Sequence, residues 1–501
     1  MPESGGSRPV ATVPTTGAPR LEARRTWRID AGALAAIAVL LRLPAFFADS
    51  HLTYDDGVFG SSALLMRAGD LPFRQIFSPQ GPLFLPLVEM ADLLGLRTAN
   101  APRLLPIVSG AVVTVAAYAA ARYLTSRGGA LLAAGLVTTS GSVLWATAPI
   151  TSDGPAVALA TTAFALALGY RTRPSTSRAV AVGLAMGAAL CIKVLVLPAA
   201  LPVGLLLLSR RRPRDLALAI GVAGALAVAV TLPWGFDRVW DQYIAYHRDS
   251  ARIASHAGAA RKLVTTLLER DSLVVVTGAL AIGAALWRRS TRPTNASQSL
   301  TLPRAPLTSG EPLPALTAAG LLALWGGGVA AVLILEPAFW RPQLAELIPP
   351  LALLAALRPP PAAVLAVAAV VVAPWYVAHV NPMLWPDRYN EAERAAVASL
   401  RALPEGARVI TDDPGLAWRA DHIVPGPLVD ASIKRIEQDQ ITAAVLASAA
   451  GADDVCAVLV WSNRYGDELP SLPRRLRSEG YDVAARFGDA RVLYERATCD
   501  P

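Results

Sequence analysis

The stretch TYDDGVFG, residues 53–60, places two carboxylates, Asp55 and Asp56, about seven residues beyond the first long apolar run of the chain. Basic residues stay on the cytoplasmic side of a membrane, so the arginines before that run predict a cytoplasmic N-terminus and an Asp pair outside. These arginines are Arg20, Arg24, Arg25 and Arg28. Two adjacent acids beside a bilayer indicate a site that transfers protons or binds a cation.

The composition is that of a polytopic membrane protein. The chain has 501 residues, 53% of them hydrophobic, and a mean hydropathy of +0.42. Many apolar runs approach the ~20 residues that cross a bilayer. The net charge of +8 comes largely from arginines in short loops between these runs, which is an orientation signal and predicts no nucleic-acid partner. Frequent Ala, Arg and Pro with only three lysines indicate a GC-rich genome and a bacterial plasma membrane.

Eleven transmembrane helices are predicted. They lie at 31–48, 104–123, 128–148, 155–170, 179–192, 194–208, 215–233, 272–289, 314–333, 344–357 and 361–379. The segment Pro82–Gly95 is short and contains Glu89 and Asp92, so it is predicted to lie on the outer surface as a helix. Four outer segments could then form one cleft, at 49–103, 149–154, 234–271 and 336–343.

Three domains follow from this threading. Residues 1–28 are predicted to be a disordered cytoplasmic tail, residues 29–380 a transmembrane domain, and residues 381–501 an extracytoplasmic α/β domain. The last region alternates strand-like runs with helical stretches. Its two cysteines, Cys456 and Cys499, could pair if the region is exported, or could be unrelated buried thiols.

Three acidic residues are candidates for catalysis. A carboxylate pair raises its own pKa and a nearby arginine lowers it, so Asp55 or Asp56 could act as a general base. The alternative is that Asp55 caps the helix running to Met66. Asp153 is a third candidate, and its alternative role is the N-cap of the helix that Pro155 enters.

Four further residues are candidates for substrate binding. Arg103, Lys193 and Arg341 map to the outer ends of predicted spans, where a lipid phosphate would sit, although each could instead reach toward lipid headgroups. His247, in an amphipathic outer loop, could contact substrate or be structural. Asp412 to Gly415 is predicted to be a turn after a strand.

The first outer loop, residues 49–103, resembles that of the GT-C membrane glycosyltransferases, especially the protein O-mannosyltransferase and lipid A aminoarabinose transferase branch (glycosyltransferase family 39-like). The resemblance rests on Asp55-Asp56, Gly69-Asp70-Leu71-Pro72, Gly81-Pro82, Leu94-Gly95, Arg103-Leu104 and, further on, Gly183 to Lys193. It covers about the first 380 residues. The chain departs from the pattern at Gln80-Gly81, where members often have Lys or His before the proline.

The resemblance implies a GT-C fold with about eleven transmembrane helices and two surface helices in the first outer loop. It implies a polyprenyl-phosphate-sugar donor bound from the outer leaflet, and an acceptor hydroxyl activated by Asp55. Asp153 matches a second acidic position that could orient the acceptor or hold a divalent cation. His247, in Tyr246-His247, resembles a family pair near the site.

The sequence thus predicts a membrane glycosyltransferase, of hexosyl or pentosyl type and inverting, which acts on an envelope glycan, lipid or protein. One rival is a transporter or flippase of a lipid-linked precursor. Transporters, however, bury ionisable groups near the bilayer midplane, whereas the candidates here lie at one face. A second rival is a scaffold whose C-terminal domain binds a partner.

Overall fold

A computed structural model of the chain describes residues 18–210, 212–253, 258–290, 318–336 and 340–499. Most of this part is helical. The α-helices are α1 Ala18–Leu40, α2 Leu43–Phe46, α3 Tyr54–Arg67, α4 Phe84–Leu94, α5 Leu104–Leu124, α6 Arg127–Thr139, α7 Gly141–Thr147, α8 Asp153–Thr172, α9 Thr176–Ile192, α10 Ala200–Leu208, α11 Pro213–Thr231, α12 Phe236–Val239, α13 Tyr246–Ile253, α14 Ala259–Arg270, α15 Ser272–Ser290, α16 Ala318–Leu335, α17 Ile348–Ala356, α18 Ala362–Leu384, α19 Glu391–Arg401, α20 Pro414–Arg419, α21 Ile433–Glu437, α22 Ala443–Ala450, α23 Asn463–Gly466 and α24 Leu472–Ser478.

Shorter helical turns connect several of these helices. The 3-10 segments are Ala101–Arg103, Val194–Ala199, Arg341–Leu347 and Gly426–Leu428, and Trp240–Ala245 is a π-helical turn. Helices α5, α8, α9 and α11 pack side by side in that order, and α1 and α6 pack against α5. Their buried faces consist largely of alanine and glycine, which allow helices to approach closely.

The N-terminal end of the chain differs from its prediction in two respects. Residues 1–17 of the predicted tail lie outside the described part, but 18–28 are helical because Leu, Glu, Ala and Arg are good helix formers. The predicted span 31–48 is interrupted at Arg42, which is the N-cap of α2, and Pro44 is the second residue of that helix. Arg42 is fully buried and donates from Nη1 to the Ala38 carbonyl at 2.7 Å and from Nε to Thr147 Oγ1 at 2.7 Å.

Helices occupy the described residues of all the other segments predicted to span, and residues 314–317 of the span 314–333 lie outside the described part. Within the described residues, four helices are long and apolar enough to cross a membrane: α5 with the 3-10 turn before it, α11, α16 and α18. The pair α6 and α7, bent by 58° at Ser140, makes a fifth if it is one broken span. Helices α9 and the 194–208 segment are apolar but shorter.

The C-terminal region contains a four-stranded mixed sheet in the order β1-β2-β4-β3. Its strands are β1 Arg408–Thr411, β2 Val455–Val460, β3 Tyr481–Arg486 and β4 Val492–Arg496. Strands β1 and β2 are parallel, with helices α20 to α22 between them, and β4 is antiparallel to both β2 and β3. Strand β2 is buried along its whole length, which accounts for its unbroken apolar sequence.

This region is joined to the first loop through α20, which packs against α3. Gly57 and Gly60, one helical turn apart, form the contact surface of α3. A Cβ at Gly57 would lie 2.6 Å from the Gly415 nitrogen, and a Cβ at Gly60 would overlap Trp418. Ser61 Oγ adds a hydrogen bond of 2.8 Å to the Pro414 carbonyl. Gly57 and Gly60 therefore allow two parts of the chain that are distant in sequence to pack closely.

Candidate functional site

The two adjacent aspartates lie in the first turn of α3 but have different surroundings. The N-cap of α3 is Thr53, whose Oγ1 accepts the Asp56 backbone N–H at 3.2 Å. The alternative role of Asp55 as the cap is therefore wrong. Successive residues of a helix are rotated by ~100°, so Asp56 faces the protein and is fully buried while Asp55 is exposed to solvent.

Asp56 is held by a complete set of partners. Arg103 Nη2 lies 2.5 Å from Asp56 Oδ2, and the backbone N–H groups of Leu52 and Ile150 each donate at 2.9 Å. Burial alone would raise the pKa of Asp56, but the Arg103 guanidinium outweighs it and the pKa is lowered. This shift favours the ionised form of Asp56, and the carboxylate fixes the start of α3.

Arg103 is committed to the same network. Besides Asp56 it donates to the carbonyls of Ala45, Ala48 and Ser50, at 3.0, 2.8 and 2.6 Å, and its side chain is fully buried. These bonds use every N–H of the guanidinium. The guanidinium is therefore used within the protein, where it holds Asp56, and the contact of Arg103 with a lipid phosphate stays a prediction.

Asp55 has the opposite character. Its carboxylate makes no hydrogen bond or ion pair with any residue that the structure describes, and solvent reaches it. The surrounding protein and the carboxylates of Asp430 and Asp153 raise its pKa to about 7, although Lys193 opposes the shift. An accessible carboxylate with this pKa can take up a proton near neutral pH.

Asp153 forms an ion pair with Lys193. Lys193 Nζ lies 2.6 Å from Asp153 Oδ1, and both side chains are largely buried. The N-cap position of α8 belongs to Ser152, so the capping role considered for Asp153 is wrong. Lys193 terminates α9 in an extended conformation, which turns its side chain out of the helix axis. Ser152 Oγ donates to Gln80 Oε1 at 2.7 Å, and Gln80 is the residue at which the chain departs from the pattern of the family that it resembles.

The C-terminal region supplies a carboxylate, Asp430, that no sequence pattern singled out. Asp430 Oδ1 accepts hydrogen bonds from Tyr54 Oη at 3.1 Å and from the Ser432 backbone N–H at 3.0 Å. The Arg464 guanidinium stacks 3.9 Å from the centre of the Tyr54 ring. These contacts place Asp430 beside the N-terminal turn of α3, next to Asp55.

His247 lies at the same place. Its Nδ1 pairs with the Tyr243 carbonyl at 2.7 Å, and burial together with the charge of Lys193 lowers its pKa, while Asp430 opposes this. We use the name Asp55 cleft for the five electrostatically linked residues Asp55, Asp153, Lys193, His247 and Asp430.

Two residues of the 3-10 segment Arg341–Leu347 have different environments. Arg341 pairs with Glu269 of α14 at 3.7 Å and remains half exposed, and it makes no contact with the Asp55 cleft among the described residues. Glu346 is buried, and both of its carboxylate oxygens lack a hydrogen-bond partner in the described part of the chain. Its electrostatic neighbours are Lys193 and Asp153. Sequence reasoning missed Glu346, although a lone acid in the apolar run 344–357 was a usable signal.

A metal centre is not evident in the described ranges, which contain no group of three or more His, Cys, Asp or Glu residues able to hold an ion. Asp153, the residue predicted to hold a divalent cation, has Lys193 as its partner. The binding of a divalent cation by Asp153 stays a prediction.

Comparison with known proteins agrees with this architecture. Residues 80–235 match the family model described as dolichyl-phosphate-mannose-protein mannosyltransferase. The crystal structure of ArnT from Cupriavidus metallidurans bound to undecaprenyl phosphate is similar, with a TM-score of 0.63 and 15% identity, over 95% of this chain and 99% of that one. The crystal structure of the same protein in the apo state is similar with a TM-score of 0.62 and 15% identity, over 96% of this chain and 100% of that one.

A third similar structure is that of the archaeal oligosaccharyltransferase AglB from Archaeoglobus fulgidus, in complex with an inhibitory peptide and a dolichol-phosphate. Its TM-score is 0.51 at 11% identity, over 95% of this chain and 74% of that one. No curated protein matches the chain in sequence. The fold is that of the GT-C membrane glycosyltransferases. With the family match, this confirms the superfamily predicted from the first outer loop.

Proposed function

We propose that the protein transfers a sugar from a polyprenyl-phosphate donor to an acceptor hydroxyl on the outer face of the membrane. The observation that carries the proposal is the contrast between Asp56, which pairs with Arg103, and Asp55, which has no partner among the described residues, is open to solvent and has a raised pKa. The donor class is supported by the undecaprenyl phosphate bound in the similar structure of ArnT and the dolichol-phosphate in that of AglB.

In the proposed reaction, Asp55 accepts the proton of the acceptor hydroxyl. The hydroxyl oxygen attacks the anomeric carbon from the side opposite the phosphate, a new glycosidic bond forms, and the bond from carbon to phosphate oxygen breaks. The configuration is inverted, and polyprenyl phosphate leaves with the electron pair. Lys193, whose charge acts on Asp55, would stabilise the departing phosphate, and Asp153 holds its ammonium in place.

The other candidates have supporting roles in this proposal. The lowered pKa of His247 keeps its imidazole neutral near pH 7, so that it can accept a hydrogen bond from the acceptor. Glu346, whose two carboxylate oxygens have no hydrogen-bond partner in the part of the chain that the structure describes, would accept hydrogen bonds from the hydroxyl groups of the donor sugar. Arg341, which is half exposed and paired with Glu269, would contact the acceptor.

The outer-face orientation is supported by a covalent feature of the C-terminal region. Cys456 and Cys499 form a disulfide with a Cα–Cα distance of 5.3 Å. Disulfides persist in oxidising compartments and are rare in the cytosol. Since α20 of this region packs on α3, an exported C-terminal region would put Asp55 on the outer face as well.

The test uses the full chain in proteoliposomes, a panel of synthetic undecaprenyl-phosphate pentoses and hexoses, and envelope extract from a deletion strain as acceptor. Release of undecaprenyl phosphate reports turnover whatever the acceptor. D55N should lower the rate by about 10²- to 10⁴-fold, the contribution of a general base. D70N, in the same loop and without a side-chain partner among the described residues, should be fully active.

Full turnover by D55N at a normal protein level would refute the role of Asp55. Movement of intact lipid-linked sugar across the bilayer without release of undecaprenyl phosphate would instead identify a flippase. Either result overturns the proposal.

A further inference from the structure

A cavity of about 610 Å³ lies at the opposite end of α3 from Asp55, between the first loop and the C-terminal region. Arg67, which lines it, is twelve residues beyond Asp55, so it lies about 18 Å further along the helix axis. The charged residues of its wall are Arg67, Arg97, Arg401, Arg419, Asp49 and Asp421. We call this space the arginine cavity. Its size is that of a small-molecule site, and its wall has a net positive charge.

The arginines of the cavity are not all used by the protein itself. Arg67 is neutralised by a bidentate pair with Asp92, at 2.6 and 2.8 Å. Arg97 has no side-chain hydrogen bond or ion pair with the described residues. Arg401 donates from Nη2 to the Arg419 carbonyl at 2.7 Å. Arg419 is 93% buried, since only 7% of it is exposed, and its Nε has no partner in the described part. An unpaired buried guanidinium N–H is costly, and an anion would satisfy it.

The backbone around the cavity is strained as well. Leu96, Arg97 and Asp421 have φ values of 57°, 55° and 64°, in the left-handed region that residues other than glycine rarely adopt. Each such conformation costs about 1–3 kcal/mol and persists only where the surroundings enforce it. Two of the three residues line the cavity, so the strain places charged groups around this space.

An apolar surface adjoins the cavity. Met90, Leu93, Leu94 and Leu96 are between 48% and 86% exposed, and they immediately precede Arg97 on α4 and the turn after it. A ligand that combines an anionic head with an apolar tail matches this arrangement, because the head can enter the cavity while the tail covers the leucines.

We propose that the arginine cavity binds the phosphate group of an anionic ligand, presented by the membrane as a phospholipid headgroup. The site is separate from the Asp55 cleft and does not depend on the glycosyltransferase activity. Arg97 and Arg401 are the contacts expected to dominate, since both are exposed and neither is paired with a carboxylate in the described ranges. Arg419 forms the inner wall.

The test is native mass spectrometry of the purified full chain in detergent, titrated with phosphatidylglycerol, phosphatidylcholine or inorganic phosphate. Wild-type protein should bind phosphatidylglycerol more tightly than phosphatidylcholine, and the double variant R97Q/R401Q should lose at least about tenfold in affinity for phosphatidylglycerol. The control R474Q removes an exposed arginine on α24, away from the cavity, and should bind like the wild type.

The phosphate arm identifies the source of the ligand. If inorganic phosphate binds and the double variant loses that binding too, the cavity recognises phosphate itself. If only phosphatidylglycerol binds, the lipid is required. Both outcomes support an anion site. Unchanged phosphatidylglycerol and phosphate binding in R97Q/R401Q, with a normal melting temperature, would overturn the proposal.

Discussion

Removal of the Arg103–Asp56 pair should mainly lower the stability of the protein and should affect substrate binding less. Both side chains are fully buried, and D56N would leave the Arg103 charge without its counter-ion while its three carbonyl contacts remain. Breaking a buried pair by removing one partner costs about 3–5 kcal/mol. At about 2 °C per kcal/mol, the lower end for mid-sized domains, the melting temperature should fall by about 6–10 °C.

The assay is thermal unfolding of the purified full chain, with the single variants D56N and R103M and the double variant D56N/R103M. R103M should be the worse single variant, because it strands Asp56 and also removes the donors to three carbonyls, each worth about 1 kcal/mol. The double variant carries no stranded charge, so the pair should show a coupling energy of at least about 2 kcal/mol. R74M, which loses one exposed bond to the Pro233 carbonyl, is the matched control and should melt normally.

Two results would refute this reasoning. Single variants within about 1 kcal/mol of the wild type would mean that the network does not hold the site together. Normal melting of R103M together with weakened binding of undecaprenyl phosphate would restore the phosphate contact that the sequence predicted for Arg103. The two readouts, melting and lipid affinity, therefore separate a positioning residue from a substrate-binding one.

Two further predictions concern the cleft and the domain contact. The rate should rise with pH below about 7 and level off above it, since the base Asp55 must be ionised, and D430N should move this inflection to lower pH by removing a carboxylate that raises the pKa of Asp55. A pH–rate profile that is flat from pH 5 to 8 would exclude a titrating base of this pKa. G57A should lower the melting temperature because its Cβ would lie 2.6 Å from the backbone nitrogen of Gly415. Gly128 has open space around it, so the control G128A should melt like the wild type. Equal melting temperatures of the two variants would contradict the close packing of α3 on α20.

Much of the secondary structure could be predicted because it depends on local pattern. Apolar runs become helices whether or not they cross the membrane, and the surface segment 82–95 is the helix Phe84–Leu94. The strand-like runs of the C-terminal region, at 407–411, 455–461, 483–487 and 491–494, overlap the four strands, although β3 begins earlier and β4 ends later than its run. The break at Arg42 has a local signal in Pro44, but the burial of Arg42 was not predictable from hydropathy, because it involves a hydrogen bond to Thr147 on another helix.

The different surroundings of Asp55 and Asp56 could be predicted only in part from the sequence. Thr53 and Asp56 have the spacing of an N-cap and the third helical residue, which is a local signal that Asp56 faces the start of the helix. The identity of its counter-ion could not be derived, because Arg103 is 47 residues away and its direction is set by the 3-10 turn that ends there. Asp430 is further still, 376 residues from Tyr54, and its position depends on how α20 docks.

The contact between α3 and α20 also constrains how the chain crosses the membrane. Helix α20 belongs to a region built around a sheet with charged surface strands, so it lies outside the bilayer, and α3 must be on the same side. The number of crossings between the two helices must therefore be even. The ten crossings predicted between residues 104 and 379 satisfy this condition, and so do four. Five crossings do not satisfy it. If α6 and α7 together form one broken span in addition to the four long apolar helices, the count is five. At least one of the shorter helices must then cross the membrane as well.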